Sequence, residues 1–310
     1  LHKMHLPPFD KKTPFFRGNL HGHSTHSDGE LSPERVAATY RDLGYDFICL
    51  SDHLWSDKRY SAPTVLDASF LNDQDFITIP SAELHCHGKL YDQDNLWHIV
   101  ANGLPLDFTH ATATETAPEM VQRAIDAGAY VTIAHPEWCC MTSEEALSVS
   151  HAHSVEIYNH SCAIGSMRGS GVTIADLLLN NGKRPSFTAA DDSHFHTPDA
   201  GGGWVMVAAE RLEAGALVTA LKAGDHYSSS GPILHDISLN GSQLDVKCSA
   251  SHSVSLVGPG HLAQSRHGPN ITSTQFDLSD VSSEWFRVTV RDSAGRHAWS
   301  NPYWRDVLQA

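Results

Sequence analysis

The segment Asn19–Gly29, NLHGHSTHSDG, places three histidines and an aspartate within the eight positions from His21 to Asp28. Imidazole and carboxylate are the donors that hold zinc, manganese or iron. A packed core has no use for such a density of rings, because each buried nitrogen needs a partner of its own. His21 and His23 alternate, and on an extended backbone alternate side chains share a face, as two ligands of one ion must. The same residue types recur wherever a β-type run ends. Asp52 and His53 close FICLSDH, Glu83 closes FITIPSAE, His135 closes YVTIAH, and Asp192 and His194 follow SFTAA. His98, in LWHIVANG, stands inside its run and has to point inward from a strand.

Any one of these residues alone reads more readily as a structural or surface group; their recurrence at run ends is what argues for a site. The neighbours divide less clearly. His26 competes with Asp28. His85 and His87, in ELHCH, lie beyond the glutamate and read as loop or substrate-contacting residues. His196 reads as an exposed loop residue, and Asp52 as an acceptor that orients an imidazole. Glu156 and Asn159 end VEIYN and face the same side, as hydrogen-bonding supports or as substrate contacts. Arg168, in GSMRGSG, offers a guanidinium fork to an anion, whereas Arg17, Lys183 and Arg184 are less well placed. Trp55, Trp97 and Trp138 suit either an apolar pocket wall or core packing.

The elements that position these groups alternate in type. Seven β-type runs, DFICLSDH, FITIPSAEL, LWHIVANG, YVTIAHP, SVEIYN, PSFTAADDSH and WVMVAAE, lie between residues 46 and 210. Helix grammar separates several of them. Ser32-Pro33 opens SPERVAATYRDLG with a cap residue and a first-turn proline, and Gly44 closes it. APEMVQRAIDAG, TIADLLLNNG and LEAGALVTALKAG follow the same pattern. Such alternation predicts a mainly parallel sheet or barrel, whose strand ends gather at one mouth. Beyond Gly231-Pro232 the helical runs stop. ILHDISL-NG-SQLDVKC signals a two-residue Asn-Gly hairpin, and SVSLVG, TQFDLS, WFRVTVRD and SAGRHAW continue as strands and turns. The expectation is a barrel over 15–231 and a small antiparallel β-sandwich over 232–310.

The totals set outer bounds. A chain of 310 residues accommodates one large α/β domain with a small partner. The formal charge of −15, from 36 acidic and 21 basic residues, disfavours a broad nucleic-acid-binding face. It leaves room for a small anionic substrate, since bound cations reverse the local sign. No apolar run reaches the ~18 residues of a membrane span. The six cysteines form no C-x-x-C pair, and no signal-like apolar stretch opens the chain, so a reducing, cytoplasmic setting is expected. The 22 histidines outnumber lysines and arginines together.

The run from NLHGHSTHSDG through LSDH, SAE, WHIVANG and AHPEW to ADDSH resembles the polymerase-and-histidinol-phosphatase (PHP) metallohydrolases, and the tail ending HAWSNPYW is similar to the carbaryl-hydrolase-like (CehA/McbA) branch. The resemblance implies an α/β fold, a distorted (β/α)7 barrel, with two or three divalent ions (Zn, Mn or Fe) at its mouth. It implies that His21, His23 and Asp192 hold one ion, that Glu83 bridges it to a second held by His98 and His135, and that Asp28, His53 and His194 hold a third. Glu83, Asp192 and His194 are then the catalytic groups, and Arg168, Trp138 and Asn159 meet the substrate. The implied reaction is hydrolysis of a small phosphoester by ionised water. One departure matters: many phosphatases of the family carry an arginine shortly after the His-Pro, whereas this chain reads His135-Pro136-Glu137-Trp138. That favours, as an alternative, a carboxyl ester, carbamate or amide substrate. A non-catalytic metal- or glycan-binding protein is the alternative of another class.

Overall fold

The computed structural model describes residues 2–88 and 96–309. Two sheets carry the fold. The smaller has six strands, in spatial order Ser186–Ala190, Ser154–Asn159, Tyr130–Ile133, Ile99–Asn102, Ser81–Leu84 and His53–Leu54. The larger has twelve and includes Phe15–Asn19, Phe47–Ile48 and Ile77–Thr78 together with the C-terminal strands.

Two of the sequence runs are divided between the sheets. FICLSDH begins as Phe47–Ile48 in the large sheet and ends as His53–Leu54 in the small one. FITIPSAEL does the same on either side of Pro80, which has no N–H to give to a ladder. Backbone bonds then continue past the strand ends. Asp192 donates to the His21 carbonyl (2.8 Å), His23 to Ser193 (2.8 Å), Ser51 to Gly22 (2.7 Å) and Glu83 to Ser51 (3.1 Å). With the small sheet, these bonds join segments 21–23, 49–51, 81–84, 99–102, 130–133, 154–159 and 186–193 in a closed circuit.

The circuit is mainly parallel, as the alternation of runs and helices predicts, with one reversed strand. Ile99–Asn102 runs antiparallel to both neighbours, with Leu84 opposite Ile99 and Ile99 opposite Ile133. Trp204–Ala208 joins the large sheet antiparallel to Phe15–Asn19. The expected helices form at Pro33–Asp42, Ala117–Asp126, Val172–Asn180 and Ala214–Ala223. Ser32 caps the first by accepting from the Arg35 N–H, and Thr116 and Glu119 form a capping box on the second. No helix among the described residues is long and apolar enough to cross a membrane.

The C-terminal strands do not stand apart. His297–Trp299 pairs with His226–Ser229, which pairs with Trp204–Ala208, so one sheet runs from the tail into the circuit's outer strands. The N-terminal Met4–His5 pairs with Leu234–Asn240 from the tail side. Arg287 on the tail strand Trp285–Arg291 grips both oxygens of Asp176 on the helix Val172–Asn180, each at 2.9 Å. The expected hairpin turn falls one residue later than its Asn-Gly signal. Asn240 pairs with Gln243, leaving Gly241 (φ +63°) and Ser242 as the loop, and it is Gly241 that needs the left-handed backbone.

Candidate metal centre

The end of Phe15–Asn19 leads directly into His21 and His23. Gly22 between them bridges to Ser193, which holds the segment extended and turns both rings inward. The loop that follows is pinned by Asp52, whose carboxylate accepts from the Ser24 N–H (2.7 Å) and hydroxyl (2.8 Å) and from the Ser27 hydroxyl (2.6 Å). Asp52 thus orients a loop, not an imidazole; its two serine partners fix where Asp28 falls. His26 turns away to the Thr64 carbonyl (3.1 Å).

His98 reaches the mouth through the direction of its strand. It precedes the strand Ile99–Asn102, and because that strand is antiparallel, its beginning lies beside the ends of Ser81–Leu84 and Tyr130–Ile133. His98 therefore joins Glu83 and His135 from the opposite chain direction. His135 (φ +24°) and Asp192 (φ +53°) both adopt positive φ, a costly backbone for non-glycine residues that concentrates at functional sites.

The nine expected donors fall into three overlapping sets, within each of which one ligand atom per residue lies within 4.8 Å of the others. His21, His23, Glu83 and Asp192 form the first; Glu83, His98 and His135 the second; His23, Asp28, His53 and His194 the third. Glu83 also forms a set with His53 and His85, and His85 was read from sequence as a loop or substrate contact. His21 Nε2 lies 2.9 Å from Glu83 and 3.1 Å from Asp192, while its Nδ1–H donates to Glu156 at 2.6 Å. His23 Nε2 is 2.8 Å from Asp192. His53 and His194 approach Asp28 at 3.2 Å and 3.4 Å. His135 Nε2 is 3.6 Å from Glu83, and its Nδ1 is 3.2 Å from the Cys139 sulfur.

The acids in this cluster set its electrostatics. Burial works against charge on His21, yet Asp192, Glu156 and Glu83 carry its pKa well above the ordinary value. Burial opposes a charge on His53 too, and Glu83 and Asp28 outweigh it. His194 behaves alike and is raised to about 9 by Asp28 and Asp192. Burial would raise Glu83, but His53, His21 and His135 hold its carboxyl well below the usual range. His23 is lowered by burial and by the facing His194 and His53. Buried carboxylates thus demand positive charge, and a divalent ion meets that demand while leaving each ring neutral.

The donors fit such ions. Glu83 Oε2 and His23 Nδ1 are buried without an aligned hydrogen bond, Glu83 Oε2 having the ion-pair approach of His53 Nδ1 at 2.8 Å. Imidazole and carboxylate without thiolate suit Zn, Mn or Fe alike. Above the cluster opens a cavity of about 850 Å³, walled by Trp55, Tyr60, Leu96, Trp138 and Arg168.

Of the three expected substrate residues, two border this cavity. Trp138 packs edge-on to His135 (4.8 Å) and His98 (5.4 Å), and the exposed Arg168 sits at the rim. Asn159 lies beneath the cluster, fully buried, donating to Glu156 (2.9 Å) and Asp192 (3.1 Å) and accepting from the Cys162 N–H (3.0 Å). Trp55 lines the cavity, whereas Trp97 borders a separate cleft with His87. Arg17 is stacked between Tyr45 and Trp204, Arg184 pairs with Asp306, and the exposed His196 bonds the Asp28 carbonyl.

The fold has a counterpart among solved structures. A two-domain protein from Bacteroides vulgatus ATCC 8482, containing a predicted PHP-like metal-dependent phosphoesterase, aligns over 90% of each chain with a TM-score of 0.52 at 15% identity. The shared property is the fold. A candidate metal-dependent phosphoesterase from Bifidobacterium adolescentis ATCC 15703 covers 63% of this chain and 92% of its own (TM-score 0.42, 11% identity). An amidohydrolase from Chromobacterium violaceum, with bound sulfate and no metal, covers 59% and 89% (TM-score 0.43, 14% identity). No family model and no curated protein matches the sequence.

Proposed function

We propose that this protein is a metal-dependent hydrolase of small phosphoesters, of the PHP type. The observation that carries the reading is the sharing of Glu83 between donor sets: one carboxylate, with Oε1 facing His21 of the first set and His135 of the second, stands where adjacent ions would need a common ligand. The likeness of fold to the Bacteroides vulgatus protein supports it. In this reading the closed circuit is a distorted (β/α)7 barrel, residues 15–231 form the hydrolase domain, and 232–310 form a β-rich accessory domain.

His21, His23, Glu83 and Asp192 would hold one ion, Glu83, His98 and His135 a second, and Asp28, His53 and His194 a third. Divalent ions bound there would lower the pKa of water and neutralise charge on the attacked ester. The chain does the rest. Glu83 and Asp192 fix the positions of the charges, and the Glu156–His21 bond keeps the His21 lone pair on Nε2. His194 borders the cavity, and its Nδ1–H donates to the Asp192 carbonyl, which leaves the Nε2 lone pair for the third ion. Arg168 would receive the anion at the rim, while Trp138 and Trp55 exclude water from either side. Among the described lining residues Arg168 is the sole guanidinium, which keeps a carboxyl ester, carbamate or amide as the second reading. The acidic surface argues against nucleic acid as a partner, and six unpaired cysteines fit a reducing, cytoplasmic setting.

The test is a side-by-side assay on aryl phosphates and aryl carboxyl esters, before and after chelation and with Mn or Zn restored. Phosphatase activity should disappear with the metal and return with it, and Glu83→Ala should remain folded but inactive. Hydrolysis that survives thorough chelation would sink the metal mechanism. Ester turnover without phosphate turnover would select the second reading, and bound metal with neither reaction would select a binding role.

A further inference from the structure

His85 is not among the donors that the motif pattern implies, yet it is 2% exposed and sits against the cluster. Its Nδ1 faces the Trp97 carbonyl at 2.9 Å. A carbonyl only accepts, so that nitrogen carries the proton, and a neutral ring then has its lone pair on Nε2. This bare nitrogen lies 2.7 Å from His53 Nδ1 in hydrogen-bonding alignment. Glu83 Oε2 is almost as near that same His53 nitrogen, at 2.8 Å, but has no aligned hydrogen bond. The proton on His53 Nδ1 is therefore directed to His85, and Glu83 Oε2 is spared. With Nδ1 protonated, His53 presents the lone pair of Nε2 toward Asp28, 3.2 Å away.

We infer that His85 is a positioning residue: through the chain Trp97 carbonyl, His85, His53 it sets the tautomer of His53, turning His53 Nε2 into a ligand for a divalent ion shared with Asp28 and His194. The inference rests on reading the cluster as a metal centre. It places in an imidazole the role that a carboxylate or backbone carbonyl usually plays behind a metal-bound histidine. The ring is held for that role by packing as well as by hydrogen bonds, with Trp55 at 5.3 Å and the edge of His98 at 4.5 Å.

The full-length protein, stripped with chelator and titrated with Zn²⁺ against a chromophoric competitor, gives the number of equivalents and the affinity of each. Substitution of Co²⁺ reports the ligand field of each site in its visible spectrum. His85→Ala should weaken one equivalent about 10–100-fold and alter its Co²⁺ band, leaving the other equivalents unchanged. His85→Gln places an amide oxygen near the former Nε2 and should recover most of that affinity. Thermal melting of the stripped variants checks the fold. If both variants lose a whole equivalent, His85 ligates an ion itself and the positioning role is wrong. Wild-type affinities in His85→Ala would overturn it as well, with the metal centre left standing. Wild-type protein that binds no Zn²⁺ would remove the centre and this inference together.

Discussion

Glu156 is the acid whose replacement most directly tests how the cluster is held. Its Oε2 takes the His21 Nδ1–H at 2.6 Å, and its Oε1 takes the His135 backbone N–H at 2.7 Å and the Asn159 amide at 2.9 Å. Three donors thus converge on two oxygens. Glu156→Gln keeps the shape but offers one oxygen and one NH₂ group. Asn159 cannot turn over to help, because its own oxygen already accepts from the Cys162 N–H. The backbone N–H of His135 cannot turn either. The amide oxygen must therefore stay on that side, and the NH₂ group meets His21 Nδ1 donor to donor. His21 is relieved only by moving its proton to Nε2, the nitrogen facing Glu83 and Asp192. That nitrogen then has no lone pair for an ion. Loss of such a support costs about 10–100-fold in metal affinity, or about 1.4–2.7 kcal/mol. The check is calorimetric titration of stripped protein with Zn²⁺ near neutral pH, wild type against Glu156→Gln, with melting curves of both to verify the fold. Unchanged affinity and stoichiometry in a folded variant would refute the argument that Glu156 dictates the His21 tautomer.

Two further expectations concern the scaffold. His226 is fully buried, with Nε2–H donating to the Phe187 carbonyl at 2.8 Å, and burial pushes its pKa down to about 4 from an ordinary 6.5. As pH falls below 6.5 the unfolded chain takes up this proton first, so stability is lost between pH 6.5 and 4, by about 3 kcal/mol in all. Urea unfolding of stripped protein across that window should show a smaller loss in His226→Gln, and parallel losses in the two proteins would contradict the assignment. Arg287, 5% exposed, ties the tail to the helix Val172–Asn180 through Asp176. Arg287→Met should lower stability by about 2 kcal/mol, given that bonds to charged groups contribute about 1.5–3 each and Asp176 is partly solvated; an unchanged urea midpoint would show that the bridge is immaterial.

Local signals were read where they were local. The cap at Ser32, the first-turn proline of APEMVQRAIDAG and the glycine after Ala223 mark their elements in sequence because such signals act on neighbours three or four residues away. Ser154–Asn159 matches its run residue for residue, as a strand buried nearly throughout should. The strand Ala263–Asp277 is different. Only its last part, around TQFDLS, alternates legibly, because most of AQSRHGPNITS is exposed and no apolar face marks it. The partners of Asp52 lie in another segment, and Asn159, besides Glu156 and the Cys162 N–H three residues to either side, reaches Asp192, so the types of these residues are readable and their duties are not. His85 reads in sequence as a loop or substrate-contacting residue for the same reason: what distinguishes it is a carbonyl twelve residues on.

Strand direction is the case with most consequence for the site. Alternating runs and helices argue for parallel neighbours, and parallel strands deliver their ends to one mouth. That reasoning places His21, His53, Glu83, His135 and Asp192 but leaves His98 in the interior of its run. Reversing Ile99–Asn102 moves the start of that strand to the mouth and exchanges the roles of its two ends. His98 then needs no inward-pointing position in mid-strand, and Asn102, at the far end, bonds the Leu20 carbonyl and Ser81 in the scaffold instead. A run that carries its ligand-type residue at its beginning, among runs that carry theirs at the end, is accordingly the sequence signature of the reversed strand.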